Sequence, residues 1–235
     1  MRQLLEDGAK AMGISLSQRQ LDQFELYHQL LVEWNEKMNL TAITAPKEVA
    51  TKHFLDSLAG GCEIAPDASL IDVGTGAGFP GIPLKIAFPG LRLTLLDSLQ
   101  KRVRFLEEVV EQLGLSEVTC IHGRAEEAAH EENLREQFDV AVARAVAPLH
   151  VLLEYCSGYV KKGGCFMAYK GPGLEEELAE AGKAMKLLQM QHKKTVKATL
   201  PEGEYDHLVA IFEKNGNLSL KYPRKQSKIK KEKLV

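Results

Sequence analysis

The chain has 235 residues, 45% hydrophobic and 26% charged, with a formal net charge of −2 at pH 7. That supports one sizeable core with a small appendage, and no uninterrupted apolar run is long enough to span a bilayer. The opening MRQLLEDGAKAMG carries Glu6 and Asp7 and does not read as a signal peptide.

Residues 17–38 predict a helix. Ser17 and Gln20 suit a capping box, and Leu21, Phe24, Tyr27, Leu31, Trp34 and Met38 recur at three- and four-residue steps. That periodicity makes Trp34 a core anchor rather than a platform for a nucleic-acid base. A second helix is expected over 47–58, so residues 1–62 read as a helical cap without strands.

The pattern changes after Pro66. SLIDVG is a short apolar strand ending in glycines, and Pro80 and Pro83 suit the first turn of the helix that follows. RLTLLD is a second strand ending at Asp97. Ser98 is then placed to cap a helix whose stripe is Leu99, Val103, Leu106, Val110 and Leu113, with Gly114 as its stop. EVTCIHG and FDVAVARA are the third and fourth strands, residues 150–160 are helical, and GCFMAYKG is a fifth strand ending at Lys170. Leu174, Leu178, Ala181, Met185 and Leu188 mark a further helix. Strands at 189–200 and 205–213 are joined only by PEGE, which demands an antiparallel hairpin. Strands alternating with helices imply a doubly wound, mostly parallel α/β sheet over residues 63–220.

Residues 221–235 hold seven basic residues and one acid, Glu232; the rest of the chain then holds 23 basic and 31 acidic residues, a balance of −8. Such a detached basic tail suggests contact with a polyanion, the alternative being a solvated, frayed terminus. Cys62, Cys120, Cys156 and Cys165 lie far apart without a C-x-x-C pair, which favours reduced thiols in the cytoplasm over disulfides or a zinc site. No His/Cys/Asp/Glu cluster has metal-ligand spacing.

The chemistry concentrates in LIDVGTGAGFPGIPL, residues 70–84. Gly76, Gly78 and Gly81 fit the dinucleotide pattern G-x-G-x-x-G, whereas Asp72, Gly74, Gly76 and Gly78 spell D-x-G-x-G-x-G, suited to S-adenosylmethionine. Asp72 would repel a pyrophosphate but attract the ammonium of a methionine moiety. The dinucleotide match also begins late after the strand. Asp97, 23 residues after Gly74, can accept protons from both ribose hydroxyls; it would serve either nucleoside, and it would also serve as a strand-end helix cap.

Six segments carry a resemblance: WNEKMNLTAIT (34–44), HFLDSL (53–58), DVGTGAGFPGIPL (72–84), GRAEE (123–127), VARAVAPL (142–149) and YKG (169–171). Together they resemble the glucose-inhibited division protein B family, the guanine-N7 methyltransferases of small-subunit (16S) ribosomal RNA, from about residue 20 to Phe212. The resemblance implies a class I S-adenosylmethionine-dependent methyltransferase fold, Rossmann-like, with an antiparallel C-terminal strand and an N-terminal helical extension. It implies cofactor contacts at Gly74, Phe79, Ala125, Glu126 and Arg144. It also implies 16S rRNA as the substrate, and the net acidic body, a poor ligand for naked RNA, favours a small ribosomal subunit or its precursor as the form recognised. A cytoplasmic monomer is expected.

What is missing narrows the reaction. ARAVAPL lacks the acceptor set that exocyclic amine methylation uses, and neither Cys156 nor Cys165 sits where a pyrimidine C5 nucleophile is needed. Guanine N7 carries an exposed lone pair and loses no proton. Arg144 and Lys170 are the candidates for the chemistry: Arg144 orients cofactor or guanine, through guanine O6, while Lys170 and Arg124 engage phosphate. Arg224 and Lys225 are the further RNA candidates in the tail. His53 and Asp56 are expected either to bracket the entrance between cap and sheet or to hydrogen-bond each other and fix the cap. Two alternatives keep the same fold: a methyltransferase of another acceptor, and a non-catalytic ribosome-assembly factor.

Overall fold

A computed structural model gives the architecture, and it describes residues 1–144, 147–198 and 207–235. Two helices open the chain, α1 (Arg2–Ala11) and α2 (Gln18–Met38). The capping box of α2 forms as its sequence predicts: Gln20 N–H donates to Ser17 Oγ and Ser17 N–H donates to Gln20 Oε1. Trp34 packs against the core, its ring tilted against Phe105 with centroids 5.6 Å apart. The helix expected over 47–58 is an interrupted run. It comprises α3 (Pro46–Glu48), a π-helical stretch Val49–Leu55, and α4 (Asp56–Leu58). Widened turns of this kind are frequent at functional sites.

Among the described residues, seven strands form one sheet in the order β3-β2-β1-β4-β5-β7-β6. They are β1 (Ser69–Val73), β2 (Arg92–Asp97), β3 (Val118–His122), β4 (Phe138–Arg144), β5 (Val160–Lys170), β6 (Met190–Ala198) and β7 (His207–Lys214). Strands β1 to β5 run parallel, and β7 runs antiparallel to both β5 and β6. The antiparallel pair agrees with the hairpin argument; the PEGE connection itself lies outside the described residues. Helices α5 (Gly81–Ala87), α6 (Gln100–Gln112), α7 (Ala125–Ala128), α8 (Leu149–Ser157), α9 (Leu174–Glu180) and α10 (Gly182–Leu187) cover the sheet, and α11 (Gln226–Lys231) follows near the end of the chain.

Alternation along each strand sorts side chains onto the two faces. Leu70, Val140, Val142, Met167 and Tyr169 join a core shared with Leu5, Leu21, Phe24 and Phe54 of the cap. Ile71, Val73, Ala141, Phe166 and Phe212 join the other core, with Leu149, Leu152 and Leu188. The cap therefore has no separate core; it buries its apolar face directly on the sheet.

Three local expectations change. Ser98 does not cap α6: the N-cap position is Leu99, whose N–H donates to Asp97 Oδ1 at 2.9 Å. The helix expected over 150–160 is Leu149–Ser157, and β5 already begins at Val160. The stripe from Leu174 to Leu188 is split into α9 and α10 at Ala181.

The basic tail is not detached. Tyr222, Ile229 and Leu234 are buried against the domain. Arg135 donates to the carbonyls of Leu218, Ser219 and Tyr222, and Arg224 forms a two-pronged ion pair with Glu154. Charge counting could not find this, because the anchors are single apolar residues spaced among the lysines. Among the described residues, no helix is long and apolar enough to cross a membrane.

Candidate functional site

Strand order reverses between β1 and β4, so the connections leaving their carboxyl ends diverge and open a crevice. The glycine loop occupies the β1 side. Gly74, Gly76 and Gly78 have φ of 73°, 62° and 95°, a region open to glycine at little cost. A Cβ at Gly78 would lie 2.5 Å from Ile82 Cδ1 and 2.6 Å from Tyr27 Oη, whereas one at Gly76 would meet open space. Gly78 is thus packed against the cap, and Gly76 faces outward.

Two carboxylates hold this loop. Asp72 is fully buried; its Oδ2 accepts from Thr75 Oγ1 at 2.7 Å and from Gly81 N–H at 2.8 Å. Burial lifts its pKa to about 6, and the bonds from Thr75 and Gly81 oppose that rise. Its Oδ1 is a buried acceptor without a partner among the described residues. Asp97, at the end of β2, accepts from Gly76 N–H through Oδ2 at 2.9 Å. From behind, the buried Tyr27 hydroxyl donates to Ala77 O, fastening α2 to the loop.

Beside the loop lies a cavity of about 370 Å³. Gly74, Asp97, Ala125 and Glu126 line it, as do Val73, Leu96, Val151, Leu152 and Tyr155. Ala125 and Glu126 come from the start of α7, directly after β3. The size and the mixture of apolar walls with a few polar groups suit a small organic ligand. S-adenosylmethionine fits this lining: apolar walls for a base and the Asp97 carboxylate for ribose hydroxyls.

Arg144 closes β4 on the opposite face, toward the cap. Its Nη1 lies 2.7 Å from Asp56 Oδ2 and within 3.5 Å of Ser57 Oγ and the carbonyls of Lys52 and His53. Its guanidinium carbon sits 4.8 Å from the centroid of the Phe79 ring, which in turn stacks on His53 at 4.6 Å. Asp56 also accepts from His207 Nδ1 at 2.8 Å. Burial works to raise the Asp56 pKa, but the bonds from His207 and Arg144 prevail and hold it below the usual carboxylate value. The same bond raises His207. His53 is pushed down to about 4 by burial and by the Arg144 charge, and its Nε2 lies 2.9 Å from Thr41 Oγ1. The expected His53–Asp56 bond is therefore replaced by Arg144 and His207 as the partners of Asp56.

The structure thus divides the candidate residues. Gly74, Asp97, Ala125 and Glu126 meet at one cavity. Phe79 does not wall that cavity: it belongs to the cap-facing core, beneath Arg144. Asp72, Gly76 and Gly78 shape the loop rather than the cavity wall. Lys170 is turned inward, with Nζ 2.8 Å from Glu177 Oε2 and 3.2 Å from Ala147 O, so it braces the connection after β4. Arg224 is turned inward onto Glu154, whereas Arg124 and Lys225 are exposed. Gln226, Ile229 and Lys230 of the tail line the cavity as well, a role that sequence reasoning missed. Among the described residues, no group of three or more His, Cys, Asp or Glu is placed to hold a metal ion.

A profile of the family described as rRNA small subunit methyltransferase G matches residues 20–207. The chain belongs to that family. It is 50% identical over 228 residues to the ribosomal RNA small subunit methyltransferase G of Alkaliphilus metalliredigens, covering 95% of each chain. It is 48% identical over 234 residues to the protein of the same name from Thermoanaerobacter sp. strain X514, covering 99% of this chain and 98% of the other. Solved structures agree on the fold, a class I methyltransferase sheet. TYW2 of M. jannaschii, in complex with AdoMet, superimposes with a TM-score of 0.50 at 17% identity, over 63% of this chain and 70% of that one. TYW2 of P. horikoshii, in complex with MeSAdo, gives 0.51 at 12% identity, over 67% and 61%. The family assignment accounts for the long stretch of motifs running from the cap through the fifth strand.

Proposed function

We infer that this chain methylates 16S ribosomal RNA, taking the methyl group from S-adenosylmethionine and placing it on N7 of a guanine. The observation that carries the reading is the convergence of Gly74, Asp97, Ala125 and Glu126 on one nucleoside-sized cavity in a chain of the rRNA small subunit methyltransferase G family.

The cofactor supplies an electrophilic methyl group on a sulfonium. Gly74, Asp97, Ala125 and Glu126 are the residues to hold it. The remaining groups suit an acceptor that needs no deprotonation. Cys156 is fully buried and Cys165 is raised by burial to about 11, so neither offers a thiolate. His53 is neutral at pH 7 but hydrogen-bonded to Thr41, inside the cap. Guanine N7 needs only alignment, and alignment is what fixed donors provide. Arg144 is such a donor: Asp56, His53 and Phe79 hold its plane. A guanidinium directed at guanine O6 would orient the base and leave the N7 lone pair open.

The substrate is a small ribosomal subunit or its precursor in the cytoplasm, and the enzyme acts as a monomer. Lys225 is exposed, and Arg124 is exposed although its Nη1 donates to Gln226; Lys170 and Arg224 would first have to leave the carboxylates of Glu177 and Glu154 to meet phosphate. The test is genetic and chemical. Small-subunit rRNA from cells lacking this chain, analysed by nuclease digestion and mass spectrometry, should lack a single 7-methylguanosine that returns on complementation. An unchanged nucleoside inventory would overturn the reading.

A further inference from the structure

Residues 221–235 look in sequence like an arm for RNA, but the structure gives their apolar positions a different neighbour. Gln226, Ile229 and Lys230 of α11 line the same cavity as Gly74, Asp97, Ala125 and Glu126. Ile229 is 2% exposed, so its burial belongs to this wall and not to solvent. Gln226 Oε1 accepts from Arg124 Nη1 at 3.2 Å; Arg124 immediately precedes Ala125 and Glu126, so this bond ties the tail to the α7 side of the mouth.

The tail is held there by built contacts. Glu154 of α8, 1% exposed, receives three bonds from Arg224: from N–H at 2.9 Å, from Nε at 2.7 Å and from Nη2 at 2.7 Å. The same helix supplies Val151, Leu152 and Tyr155 to the cavity. Arg135 gathers the carbonyls of Leu218, Ser219 and Tyr222, and His130 Nε2 lies 2.8 Å from Pro223 O. A solvated arm would not engage buried carboxylate and carbonyl groups in this way. The segment also lies beyond residues 20–207, the part that the family profile matches.

We propose that the C-terminal segment is a wall of the nucleoside cavity: Gln226 and Ile229 complete the pocket around the cofactor, and the Glu154–Arg224 pair positions them. Apart from Lys230 at the cavity, its exposed lysines Lys225, Lys228, Lys231 and Lys233 remain on the outer side. The proposal rests on the reading that the cavity binds S-adenosylmethionine, and the experiment separates the two.

Isothermal titration of the full chain with S-adenosylmethionine and with S-adenosylhomocysteine is the direct test. Wild type should bind both. Gln226→Ala and Ile229→Ala should each weaken binding by about tenfold, while Lys233→Ala, on the outer side, stays within about twofold. Limited trypsin digestion supplies a second readout. S-adenosylhomocysteine should slow cleavage at the tail lysines of wild type, and Arg224→Ala should accelerate it and reduce that protection. Well-folded Gln226→Ala and Ile229→Ala proteins that bind within about twofold of wild type would overturn the wall, as would tail cleavage indifferent to the ligand. Wild type that gives no heat with either compound would instead overturn the cofactor reading on which the wall depends.

Discussion

Arg144 Nη1 and Asp56 Oδ2 lie 2.7 Å apart, joining the end of β4 to the cap. The arginine side chain is 14% exposed and the aspartate side chain 5%, so the pair is shielded from solvent yet sits at the carboxyl rim of the sheet. An arginine placed only for stability would not need four further polar contacts around the same group and an aromatic ring beneath it. The arrangement fixes a planar donor in one orientation.

Arg144→Ala should therefore separate activity from folding. Asp56 keeps His207 as a partner in the variant, which limits the cost of leaving its carboxylate buried. Methyl transfer to small ribosomal subunits is expected to fall by about 100-fold or more. Circular dichroism and the melting transition should remain those of a folded protein. Near-normal turnover would remove Arg144 from the chemistry.

The His207–Asp56 contact predicts a pH dependence of stability. His207 has a folded pKa above its ordinary 6.5 because it donates a hydrogen bond to the Asp56 carboxylate, so its stabilisation is complete below pH 6.5 and is lost as pH rises through the raised value. On the acid side, His53 is pushed down to about 4 and favours the unfolded chain progressively as pH falls from 6.5 to that value. Asp56 adds a second loss as pH falls through its lowered pKa. Thermal melts of wild type and His207→Gln should differ most near pH 6 and converge in the alkaline range. A difference that stays constant across that range would contradict the assignment.

The glycine loop predicts two unequal substitutions. Gly78→Ala places a Cβ against Ile82 and Tyr27 at a φ of 95°, and should cost about 2–4 kcal/mol in urea denaturation. Gly76→Ala meets open space and bears only the cost of its φ of 62°, about 1 kcal/mol. Its larger effect should fall on cofactor binding. The reverse order of stabilities would mean that the loop packs differently.

Tyr27→Phe tests the connection between cap and loop. Removing the hydroxyl leaves Ala77 O without its donor, a loss of about 1–2 kcal/mol. Because Ala77 lies between Gly76 and Gly78, the cofactor dissociation constant should rise as well. Unchanged binding alongside lower stability would confine Tyr27 to a packing role.

Much of this was legible in the sequence because it depends on local order. The strand succession, the capping box at Ser17 and Gln20, and the placement of Gly74 and Asp97 at the ends of successive strands follow from periodicity and motif position, whereas Ala125 and Glu126 enter only through the family resemblance. Facing is harder. Phe79 and Arg144 follow strands on the same rim as Gly74, but alternation along β4 places Arg144 with Val140 and Val142 on the cap side. Partners distant in sequence were not legible at all. Asp56 meets Arg144 and His207, Lys170 meets Glu177, and Arg224 meets Glu154 only once the chain is folded. The basic tail is the clearest case: its net charge dominated its reading, while Tyr222, Ile229 and Leu234, isolated among lysines, decide where it lies.

The most direct test of the central claim is methyl transfer itself. Purified protein, S-adenosylmethionine labelled in its methyl group, and small ribosomal subunits from cells lacking this chain should yield label in 16S rRNA, at a single guanine, recovered as 7-methylguanosine. Label at another atom or base, or no label from a folded preparation, would contradict the account.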